Sequence, residues 1–141
     1  MDQTTKDALL RIYEATHTIA VVGASTTEGK AGHDIPRYLQ SQGYRIIPVN
    51  PRGGEVLGEA AYASLLDIDE HVDVVDVFRP AEEAEAIARD AVAIGAGVLW
   101  FQPGTDTDEA ATLAREAGLT VMTKRCMGVV HGQLGLGPGP G

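Results

Sequence analysis

Hydrophobic residues in this 141-residue chain fall into short runs divided by segments of helical spacing. Ile19–Val22, Tyr44–Val49, Val72–Phe78, Val98–Phe101 and Leu119–Met122 have strand length and are rich in Val, Ile and aromatic residues, as strands prefer. Between them, Ile35–Gln42, Ala81–Ile94 and Asp106–Ala117 are predicted as helices. An amphipathic helix over Asp7–Ala15 comes first, with Leu9, Ile12 and Tyr13 on one side. Pro36 sits in a first turn, where its missing N–H costs nothing, and Gly43 ends that helix. The Asp106–Ala117 helix is acidic at its start and carries Arg115 near its end, as the helix dipole favours. Val56–Gly58 reads as a short extended piece and Ser64–Leu66 as one helical turn.

Strands alternating with helices imply an α/β fold: a Rossmann-like, doubly wound, mainly parallel sheet with helices on both faces, in a single domain. Right-handed crossovers make 3-2-1-4-5 the expected strand order. Residues 1–131 form the domain. Residues 132–141, rich in Gly and Pro, are expected to form a flexible tail.

The first strand carries the candidate chemistry. Its apolar run stops at Gly23, followed by Ala24, Ser25 and two threonines. A buried strand that ends in this way delivers the chain into a phosphate-binding turn. Glycine there adopts backbone angles closed to other residues and lets a ligand approach the main chain. The helix beyond it aims unpaired N–H groups and a positive dipole end at that ligand. In such sheets ligands sit beyond the carboxyl ends of the strands. Gly23-Ala24-Ser25, Asn50-Pro51-Arg52, Phe78-Arg79-Pro80 and Gln102-Pro103-Gly104 should therefore line one crevice.

Two nucleotide motifs fit poorly. The dinucleotide fingerprint needs a second glycine two residues after the first, and an acid at the end of the second strand. Here Ser25 holds the glycine's place, and the strand ends in Asn50-Pro51 with Arg52 next. A basic residue there suits a ligand with an extra phosphate on or near the ribose; NADP and coenzyme A both meet that description. The P-loop fails as well, because Gly29-Lys30-Ala31 lacks the magnesium-binding hydroxyl. Lys30 can still meet a phosphate as a point charge.

A formal net charge of -9 argues against nucleic acid, which needs clustered Lys and Arg. No apolar run is long enough to span a membrane and no basic-then-apolar leader opens the sequence, so a cytoplasmic protein without membrane contact is expected. One cysteine excludes an intrachain disulfide, and no Cys/His pair has zinc-ligand spacing, so no metal site is expected.

Five pieces occur in order: Val22-Gly23-Ala24-Ser25, Gly43-Tyr44 with Ile47-Pro48-Val49-Asn50-Pro51, Val77-Phe78-Arg79, Trp100-Phe101-Gln102-Pro103-Gly104 and Arg125-Cys126. Together they resemble the small stand-alone CoA-binding domain proteins, whose fold is that of the N-terminal CoA-binding domain of the succinyl-CoA synthetase alpha subunit. The resemblance runs from about Ile12 to about His131. It implies that Gly23, Ala24 and Ser25, with Lys30 nearby, hold the diphosphate of coenzyme A. Pro51 and Arg52 would sit by the adenosine end, with Arg52 facing the 3′-phosphate. Phe78, Arg79 and Pro80 would flank the adenine or the pantetheine arm, and Gln102 and Pro103 would border the channel for that arm. The synthetase's phosphorylated histidine domain and nucleotide-binding subunit have no counterpart in this sequence.

The expected function is therefore binding of CoA or an acyl-CoA as a binding or regulatory module, with no catalytic residue assigned. Two alternatives stand beside it: an acyl-CoA-using enzyme that needs a partner chain, and an NADP-binding redox protein. Arg79 has Glu82 and Glu83 as alternative partners, but its place directly after an apolar strand favours a ligand contact. Other residues read as structural, and Trp100 reads as core. Cys126 follows Lys124-Arg125, which would lower a thiol's pKa, but a buried inert thiol is the plainer reading. His131 has no visible acidic partner. Asp73 and Asp76 face opposite sides of their strand and cannot form a carboxylate pair.

Overall fold

A computed structural model of the chain describes residues 1–138. The elements run α1 (Gln3–Ala15), β1 (Thr18–Val22), α2 (Ala31–Ser41), β2 (Arg45–Val49), β3 (Glu55–Val56), β4 (Glu59–Ala60), β5 (Val74–Val77), α3 (Ala84–Ala93), β6 (Val98–Phe101), α4 (Asp108–Glu116), β7 (Thr120–Met122) and α5 (Met127–Gln133). One sheet has the order β2-β1-β5-β6-β7, and every neighbouring pair in it is parallel. The Rossmann-like α/β architecture follows, with α1, α2 and α5 on one face and α3 and α4 on the other.

The strand order differs from the expected 3-2-1-4-5. The third long strand, β5, lies beside β1 and not outside β2. The place outside β2 holds only an isolated parallel bridge, Val49 to Tyr62. The intervening chain is spent on the small antiparallel pair of β3 and β4. Two-residue strands joined through Leu57 and Gly58, both at positive φ, carry little signal in an apolar pattern. The chain reverses direction across the sheet between β1 and β5, which puts the switch point, and any ligand, beyond Val22 and Val77.

Period-two alternation divides the core. Ala20, Ile47, Val75, Val77, Leu99 and Phe101 pack under α3 and α4. Ile19, Val21, Ile46, Val74 and Trp100 pack under α1, α2 and α5. Helix α5 was not predicted, because Gly128 and Gly132 weaken its pattern. Gly128 is what lets it close: a Cβ there would stand 3.0 Å from Cγ2 of Ile35 on α2. This helix crosses the expected domain boundary at 132, and Leu134 and Leu136 beyond it pack on the core. Residues 139–141 of the expected tail lie outside the described residues.

Trp100 is fully buried, as expected, and its Nε1 donates to the Arg125 carbonyl at 2.7 Å. Asp73 and Asp76 diverge as the strand pleat requires. Asp73 accepts from the N–H groups of His17 and Thr18. Asp76 lies in the sheet between Val21 and Trp100, fully enclosed, with no hydrogen-bond partner for either carboxylate oxygen among the described residues. Burial drives its pKa well above the carboxylate range. The folded state thus holds a proton that the unfolded chain releases at a lower pH. That contribution is complete below the unfolded pKa of about 4 and is lost as pH rises through the folded value. Asp76→Asn removes the titration. Urea denaturation from pH 5 to pH 8 should show the variant gaining on the wild type as pH rises. A constant difference between the two would mean that Asp76 is ionised in the fold.

Candidate functional site

The carboxyl ends of β1, β2, β5 and β6 open into a crevice of about 970 Å³, large for a small-molecule site. Gly23, Ala24, Ser25, Lys30, Pro51, Arg52, Phe78, Arg79, Gln102 and Pro103 all stand on its wall. Pro80 and Gly104 do not: Pro80 is exposed and caps the 3₁₀ turn Ala81–Glu83 outside the wall.

Backbone packing fixes the centre of the crevice. Gly23 has φ +91, and a Cβ there would lie 2.8 Å from the Phe78 carbonyl oxygen and 2.9 Å from Arg79 Cδ. Gly32, in the first turn of α2, comes closer still: its Cβ would stand 2.6 Å from the Gly23 carbonyl oxygen. Gly32 thus provides the close helix packing that the third glycine of the dinucleotide fingerprint provides, where this chain has Glu28. Its distance from Gly23 in sequence hid that role. Asn50 ties two turns together: Nδ2 donates to the Ala24 carbonyl at 3.0 Å, and Oδ1 accepts from the Arg52 N–H at 2.9 Å.

The donors available to an anion are not those of the first turn. Gly23 and Ala24 donate their N–H groups to the Val49 carbonyl, and Ser25 donates to the Gly32 carbonyl. The N–H groups of Thr26, Ala31 and Gly32 have no partner among the described residues. Helix α2 is capped by Lys30, whose side chain makes no capping hydrogen bond. Its positive end is therefore open to the crevice. The parallel sheet explains the shift: the turn must satisfy β2 first, so the free donors fall on the helix that follows.

Three cations stand on the wall. Arg79 is held by Glu83, with Nη2 to Oε2 at 2.6 Å and Nε shared between both carboxylate oxygens. This pairing raises the guanidinium's pKa and lowers the net charge that Arg79 presents. Lys30 and Arg52 form no ion pair among the described residues. Net positive charge is concentrated beyond β1 and β2. On the far side, Phe78, Ile87, Pro103 and Thr105 make a less charged wall, with Asp90 at its margin. Cys126 and His131 lie off the crevice. The His131 Nδ1 bonds the Tyr38 hydroxyl at 2.9 Å, and its ring packs edge-on against Tyr13, Tyr38 and Tyr44. Among the described residues no group of His, Cys, Asp and Glu could hold a metal ion, and no helix is long and apolar enough to cross a membrane.

Comparison with known proteins follows this geometry. The family model described as CoA binding domain matches residues 17–132. YneT of Bacillus subtilis, an uncharacterized protein, is 37% identical over 131 residues, which covers 93% of this chain and 97% of that protein. A solved structure of a hypothetical protein from Pyrococcus horikoshii superposes with a TM-score of 0.90 at 37% identity, covering 95% of this chain and 94% of that one. An ADP-forming acetate–CoA ligase of Methanocaldococcus jannaschii is 25% identical over 139 residues. That match takes in 93% of this chain and only 20% of the ligase.

Gly32→Ala tests the packing. In an ordinary helix the change would stabilise by about 0.5–1 kcal/mol. Here the added Cβ must push α2 off the Gly23 turn, and chemical denaturation should show a loss of about 1–3 kcal/mol. A gain in stability would mean that α2 does not rest on that turn.

Proposed function

The chain belongs to the CoA binding domain family, and from that premise we propose that it binds coenzyme A or an acyl-CoA at the carboxyl ends of its strands. One observation carries the reading. N–H groups at the start of α2 and the two cations Lys30 and Arg52, all without a partner among the described residues, converge on a crevice at the switch point of the sheet. A helix N-terminus with a nearby cation suits a diphosphate. A second cation one strand away suits a further phosphate.

In this reading the N–H groups of Thr26, Ala31 and Gly32, with Lys30, hold the diphosphate against the turn built by Gly23, Ala24 and Ser25. Pro51 and Arg52 take the adenosine end, with Arg52 on the 3′-phosphate. Phe78 and Arg79 flank the middle of the ligand, and Gln102 and Pro103 border the pantetheine arm. The mechanism is recognition and the protein acts as a binding or regulatory module. The matched part of the acetate–CoA ligase is one fifth of its length, which supports a module that carries recognition without the remainder of that enzyme. A protein partner would supply any chemistry.

Titration calorimetry with CoA, dephospho-CoA, NAD and NADP tests the reading. Saturable binding of CoA, weaker for dephospho-CoA and absent for the nicotinamide nucleotides, is the expected result. Binding of NADP without CoA would overturn it. Arg52→Glu should weaken CoA by about tenfold or more, the worth of one charge-assisted contact, and leave dephospho-CoA nearly unchanged. Equal losses for both ligands would remove Arg52 from the 3′-phosphate.

A further inference from the structure

Gln102, the residue after β6, has almost every polar group already engaged. Its N–H donates to the Val77 carbonyl at 3.3 Å. Its own carbonyl accepts from the Thr105 N–H at 3.0 Å and from the Thr105 hydroxyl at 2.7 Å. In the side chain, Oε1 accepts from the Met127 N–H at 3.0 Å, a buried bond across 25 residues of sequence. A backbone N–H can only donate, so the amide atom facing Met127 is oxygen and the amide cannot be flipped. Met127 is itself fixed from the other side, because the Tyr13 hydroxyl donates to its carbonyl at 2.6 Å. What remains is Nε2. It has no partner among the described residues, yet it is not among the fully enclosed unsatisfied atoms. Gln102 is only 7% exposed, and the open space it borders is the crevice.

We propose that Gln102 is a specificity-determining residue of the crevice: Nε2, locked in orientation by α5, donates to a carbonyl oxygen in the uncharged arm of the ligand. The inference rests on the CoA reading above. Strand positions locate the contact. Gln102 follows β6, two strands from the Gly23 turn after β1. Neighbouring strands are about 4.8 Å apart, so the donor stands about 10 Å along the sheet from the diphosphate end. The wall there is Phe78, Ile87, Pro103 and Thr105, with Asp90 and the mutually paired Arg79 and Glu83 beside them, so it offers no unpaired cation to a phosphate and suits an arm without charge. The acceptors on such an arm are the amide carbonyls of pantetheine and, in an acyl-CoA, the thioester carbonyl. A donor that cannot reorient or become an acceptor favours ligands that bring a carbonyl to this point.

The test compares CoA, acetyl-CoA and 3′,5′-ADP, which lacks the arm, on the full chain by calorimetry. Gln102→Glu keeps an oxygen for Met127 and replaces the donor with a second oxygen. It should weaken CoA and acetyl-CoA by about tenfold or more, because a buried acceptor on the ligand loses its partner. Binding of 3′,5′-ADP should stay within about twofold, since that ligand never reaches Gln102. Lowering the pH should restore the lost affinity as the introduced carboxyl takes up a proton and donates again. Gln102→Met should show the same selective loss with no recovery at low pH. Losses for CoA and acetyl-CoA alike assign an amide carbonyl, and a loss for acetyl-CoA alone assigns the thioester carbonyl. Unchanged binding of both, or an equal loss for all three ligands in both variants, overturns the proposal. A wild-type protein that binds no CoA at all refutes the CoA reading itself.

Discussion

The crevice depends on the contact between α2 and the turn that leaves β1. Two backbones meet there at a distance that no side chain permits. A Cβ at Gly32 would stand 2.6 Å from the Gly23 carbonyl oxygen, and one at Gly23 would stand 2.8 Å from that of Phe78. Because both positions are bare, α2 starts directly over the switch point and directs its unpaired N–H groups into the crevice. A helix held a side chain's width further out would leave its dipole in solvent, where screening weakens it. The parallel sheet completes the arrangement by bringing Asn50 and Phe78 beside the same turn.

Within this frame the crevice has two characters. Beyond β1 and β2 it offers helix N–H groups and unpaired cations, a place for phosphate. Beyond β5 and β6 the remaining cation, Arg79, is paired with Glu83, and the Gln102 amide, oriented by α5, keeps an open donor. One helix builds the charged half of the site by its position. Another tunes the neutral half through a single N–H. Membership of the CoA binding domain family fits this polarity, since coenzyme A carries its phosphates at one end and an uncharged arm at the other.

Much of this was legible in the sequence, because the signals were local. Ile19–Gly23 marked the strand and its turn, and parallel topology alone collected ten of the expected wall residues into one crevice. Pro80 was lost because the chain three residues past the end of β5 turns outward into a 3₁₀ cap. The position of β5 was missed because strand order depends on what covers each sheet edge, and the two-residue strands β3 and β4 gave no pattern to read. That the Gly23 and Ala24 N–H groups are already engaged was hidden because their partner, Val49, is remote in sequence. Gly32 and Met127 share that cause: each acts through one contact made only after the chain has folded.

A crystal structure of the protein with CoA is the most direct test of the central claim, that the open end of α2 is the diphosphate site. The account requires the diphosphate oxygens within hydrogen-bond distance of the Ala31 and Gly32 N–H groups, with Lys30 beside them and the arm running toward Gln102. A diphosphate held elsewhere on the molecule, with the N–H groups of α2 left to solvent, would contradict it.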